Sequence, residues 1–308
     1  MIARIEDILF AWQCHNSLQQ YINKRKGEPK DGNIFFNASG AGMCMYKHVH
    51  KLNKTQPFDT PKSKRVTSLG SLIHEDFENA VNWFKENVGV GNDILINNGI
   101  SPVNPKNIAI QTEETLTSDS FNVKSILDYI EIYPKEKVAI IVDYKSAKTA
   151  KFSLEFTARA EWQRNIVATA SMNRENGQFT GVEMQLGTIG IIALEKYAHI
   201  IENVILVNTY YKKDDSMIRY KLVTGDEPRE ISKKELPTLH FNNINFATTK
   251  LFDACAMYWN QVHETINDPN YKPGDIGSPM ESWECKWGAG QCGYLESCLE
   301  LNPMLPIK

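Results

Sequence analysis

The sequence predicts an α/β core with helical additions at both ends of the chain. Two observations carry this prediction. The centre of the chain holds three short segments that are rich in β-branched residues and separated by turn residues, which is typical of strands. On either side of them, apolar residues recur at helical spacing.

The N-terminal third is predicted to be mainly helical. Apolar residues follow helical spacing over residues 5–24, and a short helix is expected to carry Cys44. A longer helix is predicted over residues 68–87, with Ser71 as its candidate N-cap. Residues 92–105 are rich in Asn, Gly and Pro and predict a loop.

The centre of the chain is predicted to form an antiparallel meander of strands over residues 108–116, 125–132 and 138–145, the third of them buried. A helix over residues 153–172 is expected to follow the meander. The remaining predicted elements are strands over residues 187–194, 203–211 and 217–222 and a helix over residues 248–265.

Composition and charge limit the class of protein. The chain has 308 residues with a net charge of −3, and 42% of its residues are hydrophobic, which excludes a disordered or collagen-like chain. The slightly acidic balance also excludes a protein that coats nucleic acid through bulk charge. Residues 47–65 form a local basic zone, which is either a solvated loop or a phosphate-contacting surface.

Targeting signals are not recognisable in the sequence. The N-terminus lacks the apolar stretch and small-residue cleavage site of a secretion signal, and the apolar runs are much shorter than the ~20 residues of a membrane span. We therefore expect a cytoplasmic protein (in the host cytoplasm if the source is viral) that makes no membrane contact. Its six cysteines are then expected to be reduced thiols or metal ligands.

Acidic side chains follow neighbouring predicted strands. Asp143 and Lys145 come where a buried hydrophobic strand ends, and strand alternation places them on one face. Asp128 ends a similar segment one strand earlier, and Glu113 or Glu114 offers a third carboxylate. Carboxylates that converge without His or Cys favour Mg²⁺ or Mn²⁺ over zinc. The alternative is a solvated surface pair at a strand end.

These motifs together resemble the PD-(D/E)XK nuclease superfamily and, within it, the RecB-like branch. The resemblance covers about residues 37–298 and implies a restriction-endonuclease-like mixed central sheet flanked by helices. The motifs that carry it are His74 within the segment 70–78, Glu113/Glu114, Asp128, Val142-Asp-Tyr-Lys145, and Gln163 on a helix.

The resemblance implies a role for each residue of the centre. Asp128 and Asp143 would bind Mg²⁺ or Mn²⁺, and the backbone carbonyl of Tyr144 would complete the first shell. Lys145 would position the attacking water and stabilise the pentacovalent phosphate. His74 would lie near or on the metal.

Two further assignments come from the same resemblance. Glu114 is favoured over its neighbour as the additional acid, and Gln163 matches the glutamine that contacts DNA near the active site. The tyrosine that the family has four residues after this glutamine is Val167 here, so that motif is incomplete.

Four cysteines resemble the cluster ligands of the iron–sulfur nucleases in the CRISPR-adaptation exonuclease and AddB-type group. Cys285, Cys292 and Cys298 lie in a Gly- and Trp-rich tail, and Cys44 is the candidate fourth ligand that would clamp this tail onto the N-terminal region. A [4Fe–4S] cluster is expected first; structural zinc or unrelated surface thiols are the alternatives. The other two cysteines lie in apolar helical patterns and are expected to be buried, inert thiols: Cys14 and Cys255.

The sequence thus predicts a metal-dependent DNA exonuclease that acts on single strands or DNA ends. The alternative is a non-catalytic nucleic-acid-binding or assembly subunit with a nuclease-like fold and a structural iron–sulfur or zinc site. The expected organisation is one compact unit with a helical region over residues 1–107, a nuclease core over 108–225 and a helical region over 226–308. A homo-oligomer, or partners in recombination, CRISPR adaptation or replication, would fit the family.

Overall fold

The computed structural model confirms an α/β fold in which a mixed sheet is flanked by helices. The structure describes residues 36–42, 44–53, 55, 57, 61–99, 109–111, 114–147, 179, 181–212, 218–225, 229–232, 249–273, 286–287 and 290–303. None of the helices within these ranges is both long and apolar enough to cross a membrane.

Within the described ranges, the helices lie mainly in the N-terminal and C-terminal parts of the chain, and one lies between the central strands. A short 3₁₀ turn, Ala38–Gly40, precedes the first helix of these ranges. In chain order the helices are α1 (Tyr46–Leu52), α2 (Pro61–Glu86), α3 (Val88–Asn97), α4 (Gly181–Lys196), α5 (Thr249–Asn267) and α6 (Leu295–Leu301).

The strands of the described part of the chain form three sheets. In chain order they are β1 (Phe36–Asn37), β2 (Ala109–Gln111), β3 (Glu114–Ser118), β4 (Val123–Leu127), β5 (Tyr129–Tyr133), β6 (Val138–Ala147), β7 (Asn203–Lys212), β8 (Ile218–Leu222), β9 (Arg229–Ile231), β10 (Lys286–Trp287) and β11 (Gly290–Gln291). The large sheet has the order β2-β5-β6-β7-β8-β9, a smaller one has the order β1-β4-β3, and β10 pairs with β11.

Strand β6 lies inside the large sheet because its sequence is apolar on both faces. It pairs antiparallel with β5 over residues 138–142 and parallel with β7 along its full length. A run such as Val-Ala-Ile-Ile-Val is typical of strands that are covered on both sides. Asp143 and Lys145 follow this apolar run in the second half of β6, beyond its last pair with β5.

One long hairpin joins the two larger sheets. The register of β2 with β5 continues without a shift into that of β3 with β4, because Gln111 pairs with Ile130 and Glu114 pairs with Leu127. The chain passes from β4 to β5 through a single residue, Asp128. The predicted strands 108–116 and 125–132 therefore each cross from one sheet to the other.

Hydrophobic clusters cover both faces of the large sheet. Ile141 and Leu206 belong to the larger cluster, which includes residues of α4 and α5, whereas Ile205 and Val207 belong to the cluster on the opposite face. Asp143 follows Ile141 by two residues, so it faces the side that α4 covers.

The predicted strand over residues 187–194 is wrong, because this segment is part of helix α4. The helix is covered on several sides: Gly187 lies against Leu251 and Cys255 of α5, and Gly190 lies against Leu206 of β7. A helix buried all round lacks the one-sided apolar stripe that identifies a surface helix. Its short apolar run cannot be told from a buried strand by periodicity.

The predicted loop over residues 92–105 is wrong in its first part, which is helix α3. Helix α2 begins at Pro61 and not near residue 68, so Ser71 is inside the helix and is not its N-cap. Proline is favoured at the first helical position because its missing N–H would be unpaired there anyway.

The other predicted elements that the structure describes are confirmed with small shifts in their ends. They are the short helix near Cys44, which begins two residues after this cysteine and so does not carry it, the strands 203–211 and 217–222, and the helix 248–265. The predicted helices 5–24 and 153–172 lie outside the described residues.

Candidate active site

The strand register brings the two predicted metal-binding acids together. The last pair between β5 and β6 is Tyr129 with Val142. One residue further, the same antiparallel register sets Asp128 opposite Asp143, and directly opposed residues have Cβ atoms about 5 Å apart. The predicted antiparallel pairing of these two strands is therefore confirmed next to Asp128 and Asp143.

The carboxylate of Asp128 is fixed by two donors. Its Oδ2 accepts the backbone N–H of Tyr144 at 2.7 Å, and its Oδ1 accepts Nδ1 of His74 at 3.2 Å. Strand β5 begins only at Tyr129, so it offers no backbone carbonyl opposite Tyr144. The Asp128 carboxylate accepts the Tyr144 N–H in its place. The second bond joins helix α2 to the site.

Asp143 and Lys145 share one face of β6, as strand alternation predicts. Lys145 Nζ donates to Asp143 Oδ1 at 2.9 Å, and Gln185 Nε2 of helix α4 donates to the same oxygen at 3.3 Å. The Asp143 side chain is 4% exposed. Its second oxygen, Oδ2, is buried and accepts no hydrogen bond from the residues that the structure describes.

Burial raises the pKa of Asp143, and the nearby Asp128 charge raises it further, while Lys145 and His74 oppose the change. A buried carboxylate with a raised pKa and one unsatisfied oxygen is poorly stabilised as an anion. A bound divalent cation would stabilise the carboxylate anion and would provide a partner for the unsatisfied oxygen. The observed environment therefore fits a cation ligand.

The donor set fits Mg²⁺ or Mn²⁺, which prefer carboxylate and carbonyl oxygens. Within the described ranges, no three His, Cys, Asp or Glu side chains surround a common point. Each acid is instead bonded to a cationic or polar side chain, Asp128 to His74 and Asp143 to Lys145. Asp128 and Asp143 are the residues that would hold the ion.

Tyr144 follows Asp143 in β6 and contacts Asp128 through its backbone N–H. Its ring stacks on Phe77 of α2 at 5.0 Å and on Tyr211 of β7 at 6.5 Å, which holds the end of β6 in place. Its N–H points toward Asp128, and the N–H and C=O of one strand residue point to the same side. Its carbonyl as a metal ligand stays a prediction.

The hydrogen bond from His74 to Asp128 is the main cause that raises the pKa of His74 above its ordinary 6.5, and burial opposes it. The folded protein therefore favours the protonated imidazole more than the unfolded chain does. This contribution to stability is fully present below pH 6.5 and is lost as the pH rises through the raised pKa.

We expect the free energy of unfolding of the metal-free protein to fall as the pH rises through this window, and we expect His74→Gln to lack that fall. Urea unfolding midpoints at a series of pH values measure it. His199→Gln, which changes an exposed histidine, is the matched control and should keep the wild-type slope. Identical slopes in wild type and His74→Gln would contradict the assigned ion pair.

Glu114, the predicted additional acid, is not part of this group. Its two carboxylate oxygens are bound by Lys196 and by the hydroxyl of Tyr197, at the C-terminal end of α4. Gln185, which contacts Asp143, and Lys196 are separated by roughly 16 Å along the axis of α4, at 1.5 Å per residue. Glu113 and Gln163 lie outside the described residues.

Gln185 is the site residue that the sequence analysis missed. It lies in the first half of α4, and the segment that follows it was interpreted as a strand because of its Ile content. A helical interpretation of residues 181–196 would have placed a glutamine next to the end of β6. The sequence signal that could have identified this residue is a glutamine, Gln185, in a mainly apolar segment.

The cysteines lie where two distant parts of the chain meet. Cys298 Sγ on α6 is 3.1 Å from His50 Nε2 on α1, and α1 begins two residues after Cys44. Cys44 and Cys292 are buried, and Cys285 lies outside the described residues. The N-terminal and C-terminal cysteine segments are therefore in contact through Cys298 and His50, and the clamp by a metal cluster stays a prediction.

No protein-family model matches the chain, and no curated protein matches its sequence. A solved structure described as the crystal structure of SSO0001 aligns with 96% of this chain and with 96% of its own length. The sequence identity is 12% and the TM-score is 0.37. A likeness of this degree carries no inference about activity.

Proposed function

We propose that this chain is a metal-dependent deoxyribonuclease, an exonuclease that hydrolyses phosphodiester bonds of single-stranded DNA or DNA ends. The observation that carries the proposal is the position of Asp128 opposite Asp143, with Lys145 bonded to the second of these acids. Two acids and a lysine at the end of paired strands are the set that the PD-(D/E)XK resemblance requires.

Mg²⁺ or Mn²⁺, when bound, supplies the charge that polarises a phosphoryl oxygen and lowers the pKa of the attacking water. The residues of the chain perform the other tasks. Asp128 and Asp143 would hold the ion, while His74 and the Tyr144 N–H orient the first acid and Gln185 orients the second.

Lys145 supplies a second positive charge. Its side chain is 24% exposed, so it is partly open to solvent while its ammonium group is bonded to buried Asp143. A phosphodiester gains negative charge as it is attacked, and a fixed ammonium beside the scissile group stabilises that charge. The lysine also offers donors that can orient a water for attack.

The preference for DNA rests on the family resemblance, and the experiment must test it. DNA labelled at either end, single-stranded or double-stranded, is incubated with and without Mn²⁺. We expect progressive shortening from one end only in the presence of the metal. Binding in a gel shift without cleavage under any divalent metal would instead favour a non-catalytic nucleic-acid-binding subunit.

We propose further that Cys44, Cys285, Cys292 and Cys298 hold a [4Fe–4S] cluster with a structural role. The contact between Cys298 and His50 supports this, because it joins the two cysteine segments. Such a site would close a loop of most of the chain, and metal binding then adds directly to the stability of the fold. Structural zinc remains the alternative occupant.

We expect protein purified without oxygen to be brown and to contain iron, and we expect Cys298→Ser to lose both properties. Cys255→Ala is the matched control, because burial raises the pKa of the Cys255 thiol to about 12 and makes it a poor metal ligand. Metal analysis and visible absorbance are the measurements. A colourless wild-type protein that contains zinc would contradict the iron–sulfur assignment.

A further inference from the structure

A row of buried polar side chains crosses the large sheet beside the acids. The register pairs Asp143 of β6 with Asn208 of β7, and Asn208 with Lys221 of β8. Directly paired residues point to the same face of a sheet. All three side chains therefore lie under the first turns of helix α4.

Lys221, the last residue of this row, forms an ion pair with helix α4. Lys221 Nζ lies 2.6 Å from Glu183 Oε1 of α4, and these side chains are 8% and 0% exposed. The ammonium of Lys221 is thus directed to the helix.

The centre of the row is unsatisfied. Asn208 is fully buried, and neither Oδ1 nor Nδ2 of its amide has a hydrogen-bond partner among the described residues. Leaving a buried polar group unpaired costs roughly 1–3 kcal/mol. The nearest cross-strand neighbour on the same face is Asp143, whose Oδ2 is also unsatisfied.

The other donors near Asp143 bond to its first oxygen, Oδ1. Lys145 and Gln185 both donate to Oδ1. In the described part of the chain, the Asn208 amide is therefore the cross-strand neighbour with a donor available for Oδ2. The two side chains offer three unfilled polar atoms, which is enough for one buried water, since such waters make two to four hydrogen bonds.

We propose that Asn208 is a positioning residue that donates to Asp143 Oδ2, directly or through one buried water, and so sets the orientation of this carboxylate toward the divalent ion. The inference rests on the proposed metal-dependent function and assigns a residue that the sequence motifs do not include. Partners of ligating carboxylates typically contribute 10–100-fold to metal affinity or activity.

The test compares Asn208→Thr with Asn208→Val, which have the same shape and differ in one hydroxyl donor. Thr209→Val is the matched control, because it makes a similar change on the opposite face of the same strand. Mn²⁺ binding is measured by the loss of the electron paramagnetic resonance signal of the free ion, and circular dichroism checks that each variant folds.

We expect Asn208→Val to bind Mn²⁺ about tenfold more weakly or worse, Asn208→Thr to remain close to wild type, and Thr209→Val to be unchanged. Equal Mn²⁺ affinities for the valine and threonine variants would overturn the inference. If the valine variant does not fold, Asn208→Ala and Asn208→Ser make the same comparison.

Asp143→Asn separates this inference from the proposed function. If Asp143→Asn removes the Mn²⁺ binding of the wild-type protein and Asn208→Val leaves it intact, only the role of Asn208 is overturned. Wild-type protein with no Mn²⁺ site that depends on Asp143 would overturn the proposed metal-dependent activity together with this inference.

Discussion

The Lys145→Met variant is expected to lose metal-dependent DNA cleavage by about 10²–10³-fold, which is the usual effect of removing one fixed group that stabilises transition-state charge. Asp143→Asn is expected to lose at least as much, because it removes a charged ligand from a fully buried position. Both changes keep the side-chain volume nearly constant, so the fold should be retained. Initial rates on end-labelled DNA with saturating Mn²⁺ measure the effect.

Lys196→Met is the matched control for this prediction. Lys196 is also paired with a glutamate, Glu114, but at the other end of α4. Its replacement should leave the cleavage rate unchanged. Full cleavage by both Lys145→Met and Asp143→Asn, in protein of normal thermal stability, would remove the basis for a nuclease at this site.

The Lys221→Met variant is expected to have the largest effect on stability, a loss of about 3–5 kcal/mol in the free energy of unfolding. The reason is that Glu183 is 0% exposed and would lose the ammonium that neutralises it. Removing both charges is much less harmful, because the cost comes mainly from the remaining unpaired charge. Glu183→Gln combined with Lys221→Met should therefore be more stable than Lys221→Met alone.

Equilibrium unfolding in urea measures these differences. Lys137→Met provides the comparison, because Lys137 and Glu202 form an ion pair in which both side chains are about 60% exposed. That variant should change stability by less than about 1 kcal/mol. Equal losses in Lys137→Met and Lys221→Met would show that burial of the second pair does not determine its contribution.

The sequence predicted the part of the site that strand geometry determines. Alternation placed Asp143 and Lys145 on one face, and the 2.9 Å contact between them confirms it. A short meander placed Asp128 beside Asp143, and the register of β5 with β6 confirms that as well. These relations depend on nearest neighbours along the chain or across one tight turn.

The sequence did not predict the part that helix α4 contributes. Its apolar run has no one-sided pattern, since the helix packs on the sheet and on α5 together. Gln185 and Glu183 were missed for that reason. Glu114 was misplaced because strand spacing alone cannot show that Lys196 and Tyr197, about eighty residues later, bind its carboxylate.

The one-residue passage between β4 and β5 limits how this protein can change during evolution. Asp128 is the single residue between β4 and β5, and its neighbours Leu127 and Tyr129 each pair with another strand. Inserting one residue there would displace the acid by about 3.3 Å and turn its side chain to the opposite face. Homologues that share the proposed activity should therefore keep this connection at its present length.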